Sequence, residues 1–378
     1  MSDLTAYSGA RIFDGATWHD DATLVVEGDR VVAIGPAPDG AVKIPLPGGM
    51  IAPGFLDLQV NGGGGHLVGP NTGADDLAMV CDVHARFGVT GLLPTLITDT
   101  AEVTDRVLAA GAAATQRGAP GFLGLHLEGP HLSKARKGAH DPQLIRAMDE
   151  TDLVRLERGR AALPHLKVTV APESVTPEQI ARLVKAGIVV SLGHTDCSFE
   201  TAAAAIRAGA SMATHLFNAM SQMGNRDPGM VGAVLHHGTV SAGLIADGIH
   251  VHPASIGVAL RAKAGPGRIF LVSDSMSQAG TDLTSFELNG RTIHRRDGAL
   301  RLDDGTLAGA DLTMDEALRY THFTYGLDLG ETLRMATAYP AAAIGSATGR
   351  LVPGAIADFV LLSDAVEIAG VWRWGVRA

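Results

Sequence analysis

The chain runs to 378 residues, of which 46% are hydrophobic but only 4% aromatic, so Ala, Val, Leu and Ile must fill its core. That length accommodates one large α/β barrel of about 250 residues together with a small accessory domain. Lys and Arg number 30 against 40 Asp and Glu, and the resulting formal charge of −10 argues against nucleic-acid or anionic-membrane binding.

The N-terminal MSDLTAYSGARIFDG has no long apolar stretch, so no secretory signal is expected, and no segment supplies the roughly 20 apolar residues of a membrane span. ATLVVEGDRVVAIG (22–35) reads as two β-branched runs joined by a short hairpin loop. LPGGMIAPGF (46–55) breaks any helix before strand structure resumes. Eight candidate strands then follow at 51–61, 88–98, 121–128, 166–173, 188–194, 210–217, 240–247 and 268–274. Amphipathic segments separate several of them. Over 176–187, Thr176 is placed to cap a helix, Pro177 to open it and Gly187 to stop it. Helical patterning continues at 314–326 and 331–345, and residues 348–363 and 366–376 return to Gly-punctuated strands.

This alternation predicts an α/β fold: a (β/α)8 TIM-type barrel over 51–347, with a small β-sandwich domain built from both chain termini, 1–50 and 348–378. Cys81 and Cys197 lie far apart and form no metal-binding pair, which fits a reducing cytoplasm. No glycine fingerprint for a dinucleotide follows a strand, and the Gly62–Gly65 run lacks the Lys of a phosphate loop.

Chemistry concentrates at strand ends. GFLGLHLEG closes on Glu128, IVVSLGH on His194, ASMATHLFN carries His215, and RIFLVSD closes on Asp274. Alone, Glu128 reads as a helix-cap or salt-bridge carboxylate, and most of the 15 histidines must be ordinary. Two histidines and a glutamate converging from separate strands form the three-ligand set of a catalytic zinc, with one position open to water. Asp274 alone reads equally well as a helix cap. Beside such a set, its role is to take a proton from the activated water and return it to the leaving group. Gln59 and Asn61, two apart on the first strand, face the same side.

The motifs PGFLDLQVNG (53–62), LGLHLEGPHLS (123–133), KGAHDP (137–142), SLGHTD (191–196) and ATHLFNAM (213–220) resemble the N-acetylglucosamine-6-phosphate deacetylase family of the amidohydrolase superfamily. RDPGMVGA (226–233), ADGIHV (246–251), LVSDSM (271–276) and LAGADLTM (307–314) extend the likeness in order along the chain. The resemblance implies that Glu128, His194 and His215 ligate the metal and that Asp274 is the proton donor and acceptor. It places His140, beside Ala139, next to the acetamido carbonyl. Asn218, Ala219, the Asp247–His250 segment and the Leu307–Ala308–Gly309 turn would contact the sugar. Arg226 and His250 would meet the 6-phosphate, with Arg226 offered by the neighbouring subunit of a homodimer.

One departure from the wider superfamily matters. Where many members carry His-x-His on the first strand, this chain has Gln59 and Asn61, poor ligands for a transition metal. One divalent ion per subunit is therefore expected, zinc first, with iron or another divalent ion also suited to the set. Competing readings are a deacetylase of the galacto epimer, another amidohydrolase such as an aminoacylase, or a barrel scaffold without catalysis. Lys167 stands at the start of the fourth strand, the wrong end to bridge a metal pair.

Overall fold

The computed structural model describes residues 4–378. Its centre is an eight-stranded parallel sheet in which every strand neighbours its successor. The strands are β1 (Phe55–Val60), β2 (Val89–Ile97), β3 (Leu125–Glu128), β4 (Leu166–Val170), β5 (Val189–Leu192), β6 (Met212–Ala213), β7 (Ser241–Leu244) and β8 (Ile269–Leu271). Helices follow on the outside, so both faces of the sheet are covered and β2 can be an almost continuous buried apolar run, VTGLLPTLI. The helix over Pro177–Lys185 opens as its sequence predicts: Thr176 and Gln179 cap each other reciprocally, and Gly187 turns the chain at φ +80.

The sheet closes into a barrel just past the last strand. Val60 bridges Ser275 in parallel, Asn61 N–H donates to Ser275 O at 2.8 Å, and Asp274 N–H donates to Gln59 O at 3.0 Å. This is the (β/α)8 architecture expected from the alternation.

Both chain ends meet in two further sheets. One pairs Arg30–Gly35, Thr23–Glu27, Leu4–Ser8 and Val42–Pro45; the hairpin read over 22–35 is its edge. The other interleaves C-terminal strands at 359–362, 368–373 and 376–377 with Met50–Pro53, Arg11–Phe13 and Trp18–His19. Tyr7, Leu24 and Val26 from the first sheet pack against Ile12, Phe359 and Trp372 from the second. The Phe359 and Trp372 rings stack with centroids 4.7 Å apart, so part of the scarce aromatic content is spent on this sandwich.

Two features depart from the sequence reading. The run over 51–61 is two strands, Met50–Pro53 in the terminal sheet and β1 in the barrel. At Gly54 the backbone changes partner, from Asp358 O at 3.0 Å to Gly88 O for Phe55 at 2.9 Å. A Cβ there would fall 2.1 Å from Thr90 Oγ1, so the crossing requires glycine. Residues 285–310 also form a four-stranded antiparallel sheet that the strand-and-helix alternation does not anticipate. Its signal is the pair of dipeptides Asn289-Gly290 and Asp297-Gly298. Both residues of each have positive φ, as two-residue hairpin turns demand.

Candidate active site

Glu128 is the last residue of β3, whereas His194, His215 and Asp274 stand just beyond β5, β6 and β8 in left-handed backbone at φ 47, 29 and 51. Non-glycine residues adopt that region only when the surroundings hold them there. The holding contacts are visible. His194 O accepts from Ser133 N–H at 2.9 Å, and Asp274 O accepts from Ala310 N–H at 2.9 Å. The loop after His194 is pinned by Glu173, which accepts from Thr195 Oγ1 at 2.6 Å and Asp196 N–H at 2.7 Å.

The three side chains proposed as ligands from sequence converge. His194 Nε2 lies 3.1 Å from His215 Nε2 and 3.4 Å from Glu128 Oε1, and His215 Nε2 lies 3.2 Å from the same oxygen. Bonds of about 2.0–2.2 Å in a tetrahedral zinc site put neighbouring ligand atoms about 3.3–3.6 Å apart, so the spacing fits one divalent cation. His194 Nδ1–H donates to Arg136 O at 2.8 Å, which turns Nε2 toward the focus. Burial alone would raise the Glu128 carboxyl, but the two histidines override it and hold it well below its ordinary range. Burial likewise pushes His215 down, yet the adjoining Glu128 carboxylate more than compensates and raises it.

His140 sits beside this set, its ring 4.4 Å from that of His194 between centroids. Burial, then the neighbouring His194, pushes it down to about 3, so it is neutral near pH 7. Its Nδ1 accepts from Thr98 backbone N–H at 3.3 Å, which leaves the ring proton on Nε2, on the Glu128 side.

Asp274 is gripped through one oxygen: Oδ1 accepts from Asn61 Nδ2 at 2.8 Å and Gln59 Nε2 at 3.1 Å. Gln59 Nε2 also reaches Glu128 Oε1 at 3.3 Å. The two amides thus present N–H donors to both carboxylates. Burial, then the Glu128 charge, raises the Asp274 carboxyl. Below it, Asp57 accepts from Ser273 N–H at 3.1 Å and Gln59 N–H at 3.1 Å, and burial pushes it up to about 7. Lys167 is buried inside the barrel, donates to Leu58 O at 3.2 Å and is pushed down to about 8 by burial. His126, on the same face of β3 as Glu128, is clasped by Thr95 and Thr169 at 3.1 and 2.7 Å, and burial drives it well below its usual value. Asp57, Lys167 and the His126 clasp form a polar floor that no strand-end motif announces.

A cleft of about 510 Å³ opens above these groups. Glu128, His194, His215, Asp274, His140, Ala139, Asn61, Asn218, Ala219, His250, Leu307, Ala308 and Gly309 all line it. Leu307–Ala310 is a strand rather than the turn the resemblance suggests. Gly309 is at φ +68, and a Cβ there would lie 2.9 Å from Asp274 O. Asp247 lies outside the lining but is bonded to His250: its carboxylate accepts from His250 Nδ1–H at 2.6 Å and from His250 N–H at 2.8 Å, leaving Nε2 unbonded by it. Arg226 is not among the lining residues; it is exposed on the 222–227 loop and has no ion-pair partner among the described residues. Its neighbour Asp227 instead accepts from Gly229 N–H at 2.9 Å and Phe199 N–H at 3.2 Å.

A closed parallel barrel with acid and imidazole side chains gathered at its carboxyl mouth defines a class, and comparison with known proteins agrees. Residues 50–377 match the amidohydrolase family, and the chain belongs to it. It is 43% identical over 331 residues to an N-acetylgalactosamine-6-phosphate deacetylase of Shewanella sp. (strain ANA-3), covering 87% of this chain and 83% of that one. It is 34% identical to an N-acetylglucosamine-6-phosphate deacetylase of Haemophilus influenzae, covering 93% of each. The crystal structure of N-acetylglucosamine-6-phosphate deacetylase from Pasteurella multocida superposes with a TM-score of 0.95 at 35% identity, covering 99% of both chains.

Proposed function

We propose that this chain hydrolyses the acetamido group of N-acetylglucosamine 6-phosphate to acetate and glucosamine 6-phosphate. The observation that carries the reading is the convergence of Glu128, His194 and His215 within hydrogen-bond range of one another, with Asp274 tethered beside them in one cleft. Relatives named as N-acetylgalactosamine- and N-acetylglucosamine-6-phosphate deacetylases each match most of the chain.

Glu128, His194 and His215 would hold one divalent cation, zinc by their donor chemistry, with iron the alternative. Bound there, the ion supplies a Lewis acid that polarises the amide carbonyl and brings the pKa of water to about 7. Gln59 and Asn61 fill the first-strand positions with hydrogen-bond donors to Glu128 and Asp274, which supports one ion rather than two. Asp274 takes the proton that the attacking water loses as the new C–O bond forms. It delivers that proton to nitrogen as the C–N bond breaks, so acetate and the amine leave in balance. His140, neutral with its proton on Nε2, donates to the carbonyl oxygen as negative charge builds there. His250, fixed by Asp247, meets the phosphate end of the substrate. Asn218, Ala219 and Leu307–Gly309 hold the sugar, and Arg226 serves the cleft of the neighbouring copy in a homodimer. The β-sandwich of 4–53 with 348–378 and the barrel of 54–347 form two structural units, the boundary falling at Gly54 rather than at 50. With both cysteines free and buried, a cytoplasmic setting suits the chain.

A second reading, the galacto epimer as substrate, is favoured by the 43% identity to the Shewanella protein. Acetate release from both epimeric 6-phosphates, and from N-acetylglucosamine itself, is the test. Higher kcat/KM on the gluco 6-phosphate supports the proposal, preference for the galacto form transfers it to the second reading, and no acetate from any overturns both.

A further inference from the structure

The antiparallel sheet over 285–310 is an insertion between the barrel's last strand and its next helix, and it walls the cleft with Leu288, Arg301 and the Gly305–Gly309 segment. It is docked onto the elements that carry the site. Arg291 donates to Ala139 O, next to His140. A Cβ on Gly298, at the tip of one hairpin, would lie 3.8 Å from Ile249 Cδ1, next to His250. Arg301 sits three residues beyond that tip and opposite Leu307 in the ladder.

Charge around the cleft is unevenly matched. Two arginines line it, Arg136 and Arg301, against the carboxylates of Glu128 and Asp274. Arg136 is already neutralised by Asp196, at 2.7 and 2.8 Å. Arg301 is exposed and has no carboxylate partner among the described residues; its Nη1 donates only to Gly305 O, at 3.1 Å. That bond ties the guanidinium across its own turn and leaves most of its five N–H donors available. A phosphate dianion entering a cleft with two buried carboxylates in a chain of charge −10 needs such an uncompensated fork.

We propose that Arg301 is a specificity-determining residue that binds the phosphate of the substrate from the same chain, in addition to whatever a neighbouring copy contributes. This rests on the sugar-phosphate reading above, and the experiment separates the two. Arg301→Gln and Arg301→Lys are compared with wild type on N-acetylglucosamine 6-phosphate and on N-acetylglucosamine, and inorganic phosphate is titrated directly into each protein. For Arg301→Gln, kcat/KM on the phosphorylated substrate should fall about 10- to 100-fold, the range of a hydrogen-bonded charge, chiefly through KM. The loss on the phosphate-free sugar should be much smaller, and Arg301→Lys should recover part of it. Phosphate affinity should fall in parallel. An equal loss on both sugars, or none on either, overturns the role of Arg301. Should wild type release no acetate, the functional reading fails, and the phosphate titration still decides: equal affinity in wild type and Arg301→Gln overturns the anion contact.

Discussion

Asp274 and the histidines around it show how much of the chemistry is set by which atom each side chain has already committed. Asp274 spends Oδ1 on two amides, so Oδ2 is the oxygen left to exchange a proton. Replacing Asp274 with Asn keeps the shape and the amide contacts but removes the base. Metal content should stay at the wild-type level while kcat drops about 10²–10⁴-fold; elemental analysis with an acetate assay checks both. His215 yields a pH prediction with a definite sign. Its pKa in the metal-free chain is raised, so it keeps a proton to higher pH than an ordinary histidine, and the cation must displace that proton. Metal affinity should therefore be full above that pKa and fall about tenfold per pH unit below it. Competition titrations with a chelator at several pH values measure this, and a flat profile would contradict it.

At the scale of elements, the strand-end residues were legible because an apolar β-branched run that halts on one acid or imidazole is a simple pattern. What the pattern conceals is that His194, His215 and Asp274 sit two or three residues past their strands in left-handed turns, where contacts distant in sequence hold them. The seam between β8 and β1 shows the same dependence. There the ladder is sparse, and the Asp57 carboxylate takes the N–H groups of Ser273 and Gln59. Asp57→Ala would orphan two buried donors and lower stability by roughly 2–5 kcal/mol. Because Ser273 and Gln59 adjoin Asp274, activity per bound metal should fall as well. Denaturant melts and kcat on metal-saturated protein are the measurements, and an unchanged midpoint would remove Asp57 from the seam. The 285–310 sheet escaped the strand-and-helix pattern because its strands are short and half-exposed, although its Asn-Gly and Asp-Gly turns were present to be read.

For the molecule as a whole, Arg226 is the residue whose position relative to the cleft matters most. It is exposed, unpaired among the described residues and absent from the lining of its own cleft, as a residue serving a second copy would be. Hybrid dimers test this directly. Asp274→Asn and Arg226→Gln chains, each impaired alone, should complement when mixed, because one site in each hybrid then has both groups. With random pairing, activity should return to about one quarter of wild type in a two-fold dimer. No gain on mixing would place Arg226 in its own chain's site or in none.

The eight barrel strands, the β character of both termini and the candidacy of Glu128, His194, His215 and Asp274 were legible in the linear sequence. They follow from local periodicity and from residue types that change abruptly where a run ends. Tertiary structure alone decided which nitrogen of each histidine faces the focus, that Gln59 and Asn61 tether Asp274, and that Arg301 lines the same cleft as His250. Those facts depend on hydrogen bonds and approaches between residues tens to hundreds of positions apart, as with Asn61 and Asp274, and no local pattern encodes such distances.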